Sequence, residues 1–322
     1  MGRTKRRRAP IENAGVQSMN PSAPRSSAPC ISAVLISWNR CELLQKAIDS
    51  LLRQNYPNLE IIVVDNGSTD GSLEWLREKS EIQRIENKRN RGASAARNQG
   101  TRLAKGDYIL YMDSDAELRT ENGLKRCVEW LESDPTMAGV AGVYYSDEDL
   151  QTLWCWSPCM DWQGYFDPEA SMKPKSDPPV LSTCFSMYRR EALQEVGGFD
   201  EYFFYLYEDG DLSDRLWKAG YRLHIDPSIK ILHHYAEPGR TQRDQLDYHY
   251  YTERLRQNFL IKNWGMRRYM QSWKHKITHY RQIRGQFPYL SWLNYVDIYG
   301  FRTFYYLIRY LVKIRYSRKK WI

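Results

Sequence analysis

The 322-residue chain contains no CxxC pair, and its six cysteines (Cys30, Cys41, Cys127, Cys155, Cys159 and Cys184) have no histidine-rich partner cluster. That scatter argues against a zinc site, so the cysteines read as reduced thiols that mostly pack. Neither GxGxxG nor GxxxxGK[ST] occurs, which disfavours a dinucleotide-binding domain and a Walker-type nucleoside triphosphatase. No run reaches the roughly 20 apolar residues of a spanning helix. No apolar stretch follows the basic N-terminus either, so neither a signal peptide nor an N-terminal anchor is expected, and a cytosolic or cytosol-facing protein follows. Solenoid-type repeats are also absent.

Acidic residues are in the minority, with a formal net charge of +8, yet the excess cation sits at the two ends. Residues 1–30 carry six Lys or Arg against Glu12, and residues 267–322 carry thirteen against Asp297, which leaves residues 31–266 at about −9. Attraction to polyanions or membranes therefore belongs to the ends. An acidic core that holds a diphosphate needs a bridging cation.

Residues 1–29 are rich in Arg, Pro, Ser and Ala with few bulky apolar side chains, so a disordered basic arm is expected there. From Ile31 apolar runs and helical stretches alternate: strands over Ile31–Ser37, Leu59–Asp65, Ile82–Glu86 and Tyr108–Asp113, helices over Glu42–Gln54, Ser72–Lys79, Ala93–Ala104 and Glu121–Glu132. Such alternation predicts an α/β fold, a mainly parallel sheet with helices on both faces. Past Val140 the pattern weakens, and Trp154–Pro179 reads as long loops or short mixed strands. Val180–Tyr188, Arg222–Ile225 and Ile229–His233 read as further strands, with a helix over about Asp211–Ala219. The predicted organisation is an arm (1–29), a catalytic domain (30–243) and a C-terminal basic helical extension (244–322).

In open α/β sheets ligands bind beyond the carboxyl ends of the strands. Three strands end in polar residues: Ser37, Trp38, Asn39 and Arg40; Asp65, Asn66, Gly67 and Ser68; and Asp113, Ser114 and Asp115. Oxygen ligands two residues apart, as in Asp113 and Asp115, suit one Mg²⁺ or Mn²⁺, although Asp-Ser-Asp is also ordinary turn chemistry. Gly92 precedes a helix whose first turns carry Arg97 and Asn98, and a helix N-terminus beside a cation could face a diphosphate. A solvated helix is the plainer reading of that stretch. Glu208 and Asp209 open a later helix, where acids also answer the helix dipole.

The segments VLISWNR, IIVVDNGSTDGS, NRGASAARNQG, GDYILYMDSDAEL and GGFDEYFFYLYEDGDLSDRLWKAGYRLHIDPSIKILHH, in that order, resemble the family 2 glycosyltransferases, near the rhamnosyltransferase-like members. The resemblance covers about Ile31 to His234. It implies a GT-A type fold and sugar transfer from a nucleotide diphospho-sugar with inversion at the anomeric carbon. Ser37, Asn39 and Arg40 match the first nucleotide-contacting loop, Asp65 the residue that reads the base, and Arg97 and Asn98 the motif before the metal strand. Asp113 and Asp115 match the metal-binding DxD, with Ser114 where many relatives are acidic. Asp209 in Glu208-Asp209 matches the catalytic base, and His233 a further metal or diphosphate ligand. A lone histidine at a strand end is otherwise a hydrogen-bonded structural residue.

Trp154, Trp156, Trp162, Tyr165 and Phe166 could stack on an acceptor sugar or belong to the core. In Phe301–Ile314, Phe301, Phe304, Ile308 and Leu311 recur at helical spacing opposite Arg302, Arg309 and Lys313. Such a basic amphipathic helix either lies on an anionic membrane, where a lipid-linked acceptor is found, or packs on the catalytic domain. A sugar nucleotidyltransferase, a catalytically silent GT-A scaffold and an RNA-binding protein are the alternatives. The acidic core and the lack of a recognisable module argue against nucleic acid.

Overall fold

The computed structural model describes residues 28–158, 167, 171–173, 179–234 and 245–273. The basic arm over residues 1–27, the aromatics Trp162, Tyr165 and Phe166, Cys159 and the Phe301–Ile314 helix lie outside the described residues.

Strands β1 (Ile31–Ser37), β2 (Leu59–Asp65), β3 (Gln83–Glu86) and β4 (Tyr108–Asp113) make a parallel half-sheet. The near-continuous apolar content of β1, β2 and β4 suits strands covered on both faces, whereas the edge strand β3 is half exposed,. On one face Ile31, Ala33, Leu35, Leu110 and Met112 pack against Leu44, Ala47, Ile48 and Leu51 of α1 (Cys41–Leu52). The i, i+3, i+4, i+7 spacing of those four residues gives the helix its buried stripe. After α2 (Ser72–Arg77) and β3, helix α3 (Ala93–Leu103) covers the other face. It approaches β1 closely at Gly100, where an added Cβ would lie 2.3 Å from Val34 Cγ1.

The second half of the sheet is mixed. The strand order is β3-β2-β1-β4-β8-β6-β9-β5, with β5 (Ala116–Leu118), β6 (Met137–Tyr145), β7 (Leu153–Cys155), β8 (Phe185–Arg189) and β9 (Arg222–His233). β8 runs antiparallel between β4 and β6, and β6 pairs parallel with β9. Helix α4 (Gly123–Ser133) packs Leu124, Cys127, Val128 and Leu131 on the α1 face. Helices α5 (Arg190–Val196) and α6 (Glu208–Lys218) bury Ala192, Leu193, Leu212 and Leu216 on the other.

Several elements differ from the sequence reading. Arg222–Ile225 and Ile229–His233 are one strand, because Pro227, which has no N–H to donate, is absorbed in a bulge: register passes from Ala141↔Ile225 to Val143↔Lys230,. Asp226 Oδ1 accepts the Ser228 N–H at 2.9 Å in that bulge. β6 continues five residues beyond Val140; Gly139 and Gly142 blur its pattern, and at Gly142 a Cβ would sit 2.3 Å from the Ile229 carbonyl oxygen. The strand expected over Val180–Tyr188 begins only at Phe185, and Thr183 and Cys184 lie in a turn before it.

The described part of the C-terminal extension, residues 245–273, is helical as expected, with α7 (Gln245–Phe259), a π-helical turn (Leu260–Trp264) and α8 (Gly265–Trp273). The turn aims Lys262 and Asn263 at the buried Asp211 of α6: Lys262 Nζ lies 2.5 Å from its Oδ1, and Asn263 Nδ2 donates to the same oxygen at 3.0 Å. None of the described helices is long and apolar enough to cross a membrane.

Candidate active site

Register brings the polar strand ends level. Ser37 pairs with Asp65, and Ile36 with Asp113. Beyond β1, Asn39 adopts a left-handed φ of 54°. Its Oδ1 accepts the Thr69 N–H at 2.8 Å, and its own N–H donates to Ser68 Oγ at 2.9 Å. Asp65 is fully buried, and its Oδ1 accepts the N–H groups of Gly67 (3.1 Å) and Ser68 (3.0 Å). Asp65 Oδ2 and Ser37 Oγ are buried and meet no partner among the described residues.

Asn66 ties this loop to the next. It accepts from Arg91 N–H at 3.0 Å and Asn87 Nδ2 at 3.1 Å, and donates to Asn90 Oδ1 at 3.0 Å. At Gly92 φ is +88° and an added Cβ would lie 2.6 Å from Phe204, so only glycine lets the two loops meet there,.

Helix α3 then sends two buried side chains under the site. Asn98 holds the Phe199 backbone from both sides, accepting its N–H at 2.9 Å and donating to its carbonyl at 2.9 Å. Arg97, 4% exposed, bridges Asp113 Oδ1 (2.9 Å) and Glu208 Oε1 (3.1 Å). Although burial opposes its charge, Asp113, Glu208 and Asp209 hold its pKa above the ordinary arginine value.

The chain turns from β4 into β5 at Ser114 and Asp115. Asp115 is 2% exposed; its Oδ2 lies 2.9 Å from Arg40 Nη1 and its Oδ1 3.5 Å from His233 Nε2. His233, at the end of β9, also packs a tilted ring against Trp154, with centroids 4.7 Å apart and an interplanar angle of 43°. One ligand atom each from Asp113, Cys184 and His233 lie within 4.8 Å of one another. With Asp115 beside His233, this gathering of carboxylate, imidazole and thiol donors fits a divalent cation.

Helix α6 delivers the remaining acids. Its opening is strained: Leu206 and Tyr207, both bulky, hold left-handed φ values of 71° and 67°, a conformation found where surrounding packing enforces it. Tyr207 makes no side-chain cap. Glu208 is buried on Arg97, whereas Asp209 is half-buried and accepts the Thr183 hydroxyl at 2.6 Å. Burial raises the pKa of Glu208, and the neighbouring Asp209 adds to the rise. Burial likewise raises Asp209, against the lowering influence of Arg97 and the Thr183 hydrogen bond.

Residues 32–197 match the family model for glycosyl transferase family 2. The chain belongs to that family. Among curated members, the glycosyltransferase GlyG of Streptococcus pneumoniae is 31% identical over 122 residues, 37% of this chain and 40% of that one. The putative colanic acid biosynthesis glycosyl transferase WcaA of Escherichia coli is 44% identical over 95 residues, 28% of this chain and 33% of that one. The matched segments thus span well under half of either relative. A mannosyltransferase of Pyrobaculum calidifontis, solved in complex with GDP-mannose and Mn²⁺, superposes over 91% of this chain and 90% of its own, with a TM-score of 0.52 at 18% identity. The fold of this family 2 chain is therefore of the GT-A type.

Every site residue expected from the sequence lies at the carboxyl edge of the sheet or on α3 and α6 against it. Two roles differ from a simple ligand list: Asn98 and Asn66 spend their amides on holding loops. Thr183 and Cys184 were not legible as site residues, because no local pattern reveals that β8 runs antiparallel to β4 and so starts where β4 ends.

Proposed function

We propose that this chain transfers one sugar from a nucleotide diphospho-sugar to a hydroxyl of a glycan or lipid-linked acceptor, with inversion, using Mg²⁺ or Mn²⁺. The observation that carries it is the convergence of Asp113, Asp115 and His233 with a half-buried Asp209 behind the same arginine. Asp113, Asp115 and His233 would hold the cation, which supplies Lewis-acid stabilisation of the departing diphosphate. The archaeal structural neighbour, complexed with GDP-mannose and Mn²⁺, supports a cation and a nucleotide-sugar donor. WcaA, named for colanic acid biosynthesis, supports a glycan acceptor.

Inverting transfer is a single in-line displacement. The acceptor oxygen bonds to the anomeric carbon, its proton passes to a carboxylate, and the nucleoside diphosphate leaves. Asp209 is the base in this reading, because it keeps an exposed edge while Glu208 is buried on Arg97. Thr183 fixes the Asp209 carboxylate in place for that proton transfer. Arg97 restrains the charges of Asp113 and Glu208 before the donor arrives. Arg40, beside Asp115, adds a cation on the side of the first loop, where Ser37, Asn39, Asp65, Asn66 and Gly92 would frame the nucleotide. Residues 30–243 form the catalytic domain in this reading, and 244–322 an extension that braces α6.

Thermal-shift measurement against UDP, GDP, dTDP and CMP, each with Mn²⁺, Mg²⁺ or EDTA, tests the proposal. Stabilisation by one nucleotide, dependent on metal and lost in Asp113→Ala, is expected. A folded protein that responds to none of them contradicts it.

A further inference from the structure

We propose that Cys184 is a sulfur ligand of the divalent cation, completing a set with Asp113 and His233. The inference rests on the metal-binding reading above and goes beyond it, since a cysteine in this sequence otherwise reads as a packing residue.

Three separate strand ends converge to make the set. Asp113 closes β4, His233 closes β9, and Cys184 sits in the turn that precedes β8. The turn is pinned to β4, because the Asp113 N–H donates to the Cys184 carbonyl at 3.1 Å. Its sulfur lies within 4.8 Å of both an Asp113 oxygen and a His233 nitrogen. Ligands held about 2.0–2.3 Å from one ion stand roughly 3–4 Å apart, so small side-chain rotations close the set. The Asp113 side chain is 27% exposed and His233 and Cys184 are buried, at 6% and 4%. A cation entering past Asp113 meets the thiol at the floor of the site. Cys184 is a free thiol.

The sulfur does not act as a redox group. As the sulfur–metal bond forms, its lone pair is donated to the cation and its proton goes to solvent. One oxygen, one nitrogen and one sulfur donor make a softer site than carboxylates alone, and soft donors favour Co²⁺, Zn²⁺ or Cd²⁺ over Mg²⁺. A cysteine that only packs, within the apolar cluster that also holds Phe185 and Met187, would leave metal affinity indifferent to its sulfur.

The test is titration of the full chain with Co²⁺, followed by ultraviolet–visible absorption, in wild type, Cys184→Ser, Cys184→Ala and Asp113→Ala. Sulfur-to-cobalt charge transfer in the near ultraviolet is expected in wild type, rising together with the visible d–d bands. Both Cys184 variants should lose the charge-transfer band, keep d–d bands, and bind Cd²⁺ about tenfold or more weakly by calorimetry. Visible bands in wild type without charge transfer, or Cd²⁺ affinity unchanged in both variants, overturn Cys184 as a ligand and leave the metal site standing. Absence of any cobalt signal from folded wild-type protein overturns the metal reading itself, and this inference with it. A wild-type spectrum with visible bands and no charge transfer overturns the proposal even where a variant fails to fold, and either Cys184 variant that folds assigns the band to this thiol.

Discussion

Arg97 on α3 lies 3.1 Å from Glu208 at the start of α6, across 111 residues of sequence, and both side chains are buried. A single guanidinium thereby joins the helix before β4 to the helix that carries Asp209. Removing one partner of a buried pair costs about 3–5 kcal/mol because it leaves an uncompensated charge. Arg97→Ala is accordingly expected to lower the unfolding free energy by several kcal/mol, with Arg97→Lys losing at least one of the two contacts. Denaturant unfolding of both variants measures this, and wild-type stability in Arg97→Ala contradicts it.

Thr183 offers a test that reads on chemistry rather than on folding. Its hydrogen bond lowers the Asp209 pKa, which burial has already raised. Thr183→Val removes the hydrogen bond, so the carboxyl rises further and the base form appears only at higher pH. The acid limb of the kcat/KM profile should move to higher pH, and Thr183→Ser should restore it. An unmoved limb in Thr183→Val would mean that Asp209 is not the titrating base.

Asp209 itself should carry opposite effects on stability and turnover. Its folded-state pKa is raised, so the folded chain binds more protons than the unfolded one and stability falls as pH climbs from the ordinary aspartate range through the raised value,. At neutral pH the ionised group opposes folding. Asp209→Asn should therefore melt at or above the wild-type temperature, and the gain should vanish below the unfolded pKa. A melting point below wild type at neutral pH counts against the burial of this charge.

The strand ends that hold Ser37, Asp65 and Asp113 were legible from sequence, because parallel strands covered on both faces read as apolar runs that stop at polar residues. In the second half-sheet the apolar runs of β8 and β9 were legible too, but the length of β6, the union of the two β9 segments and the mixed strand directions were not. Two glycines within β6 and Pro227 within β9 interrupt the pattern that marks a strand, and the reversed direction of β8 leaves no mark in the sequence. Thr183 and Cys184 enter the site only through that reversal. Lys262 reaches Asp211 through a π-helical turn, where an inserted residue shifts the face that periodicity would assign,.

That contact makes the extension part of the scaffold around α6. Lys262 Nζ also lies 2.8 Å from Asp200 Oδ2, so one ammonium serves two carboxylates. Lys262→Met should cost about 1–3 kcal/mol and expose residues 245–273 to earlier proteolytic cleavage than the catalytic domain. Identical stability and cleavage pattern would show that the extension is held by other contacts.

Nucleoside diphosphate release bears most directly on sugar transfer. Wild type and Asp209→Asn would be incubated with a panel of nucleotide diphospho-sugars, an acceptor mixture, and Mn²⁺ or EDTA. Metal-dependent release of one nucleoside diphosphate from wild type is expected, falling about 10²–10⁴-fold in Asp209→Asn while donor binding by calorimetry persists. Equal release by both proteins, or pyrophosphate in place of nucleoside diphosphate, contradicts a transferase that works through Asp209.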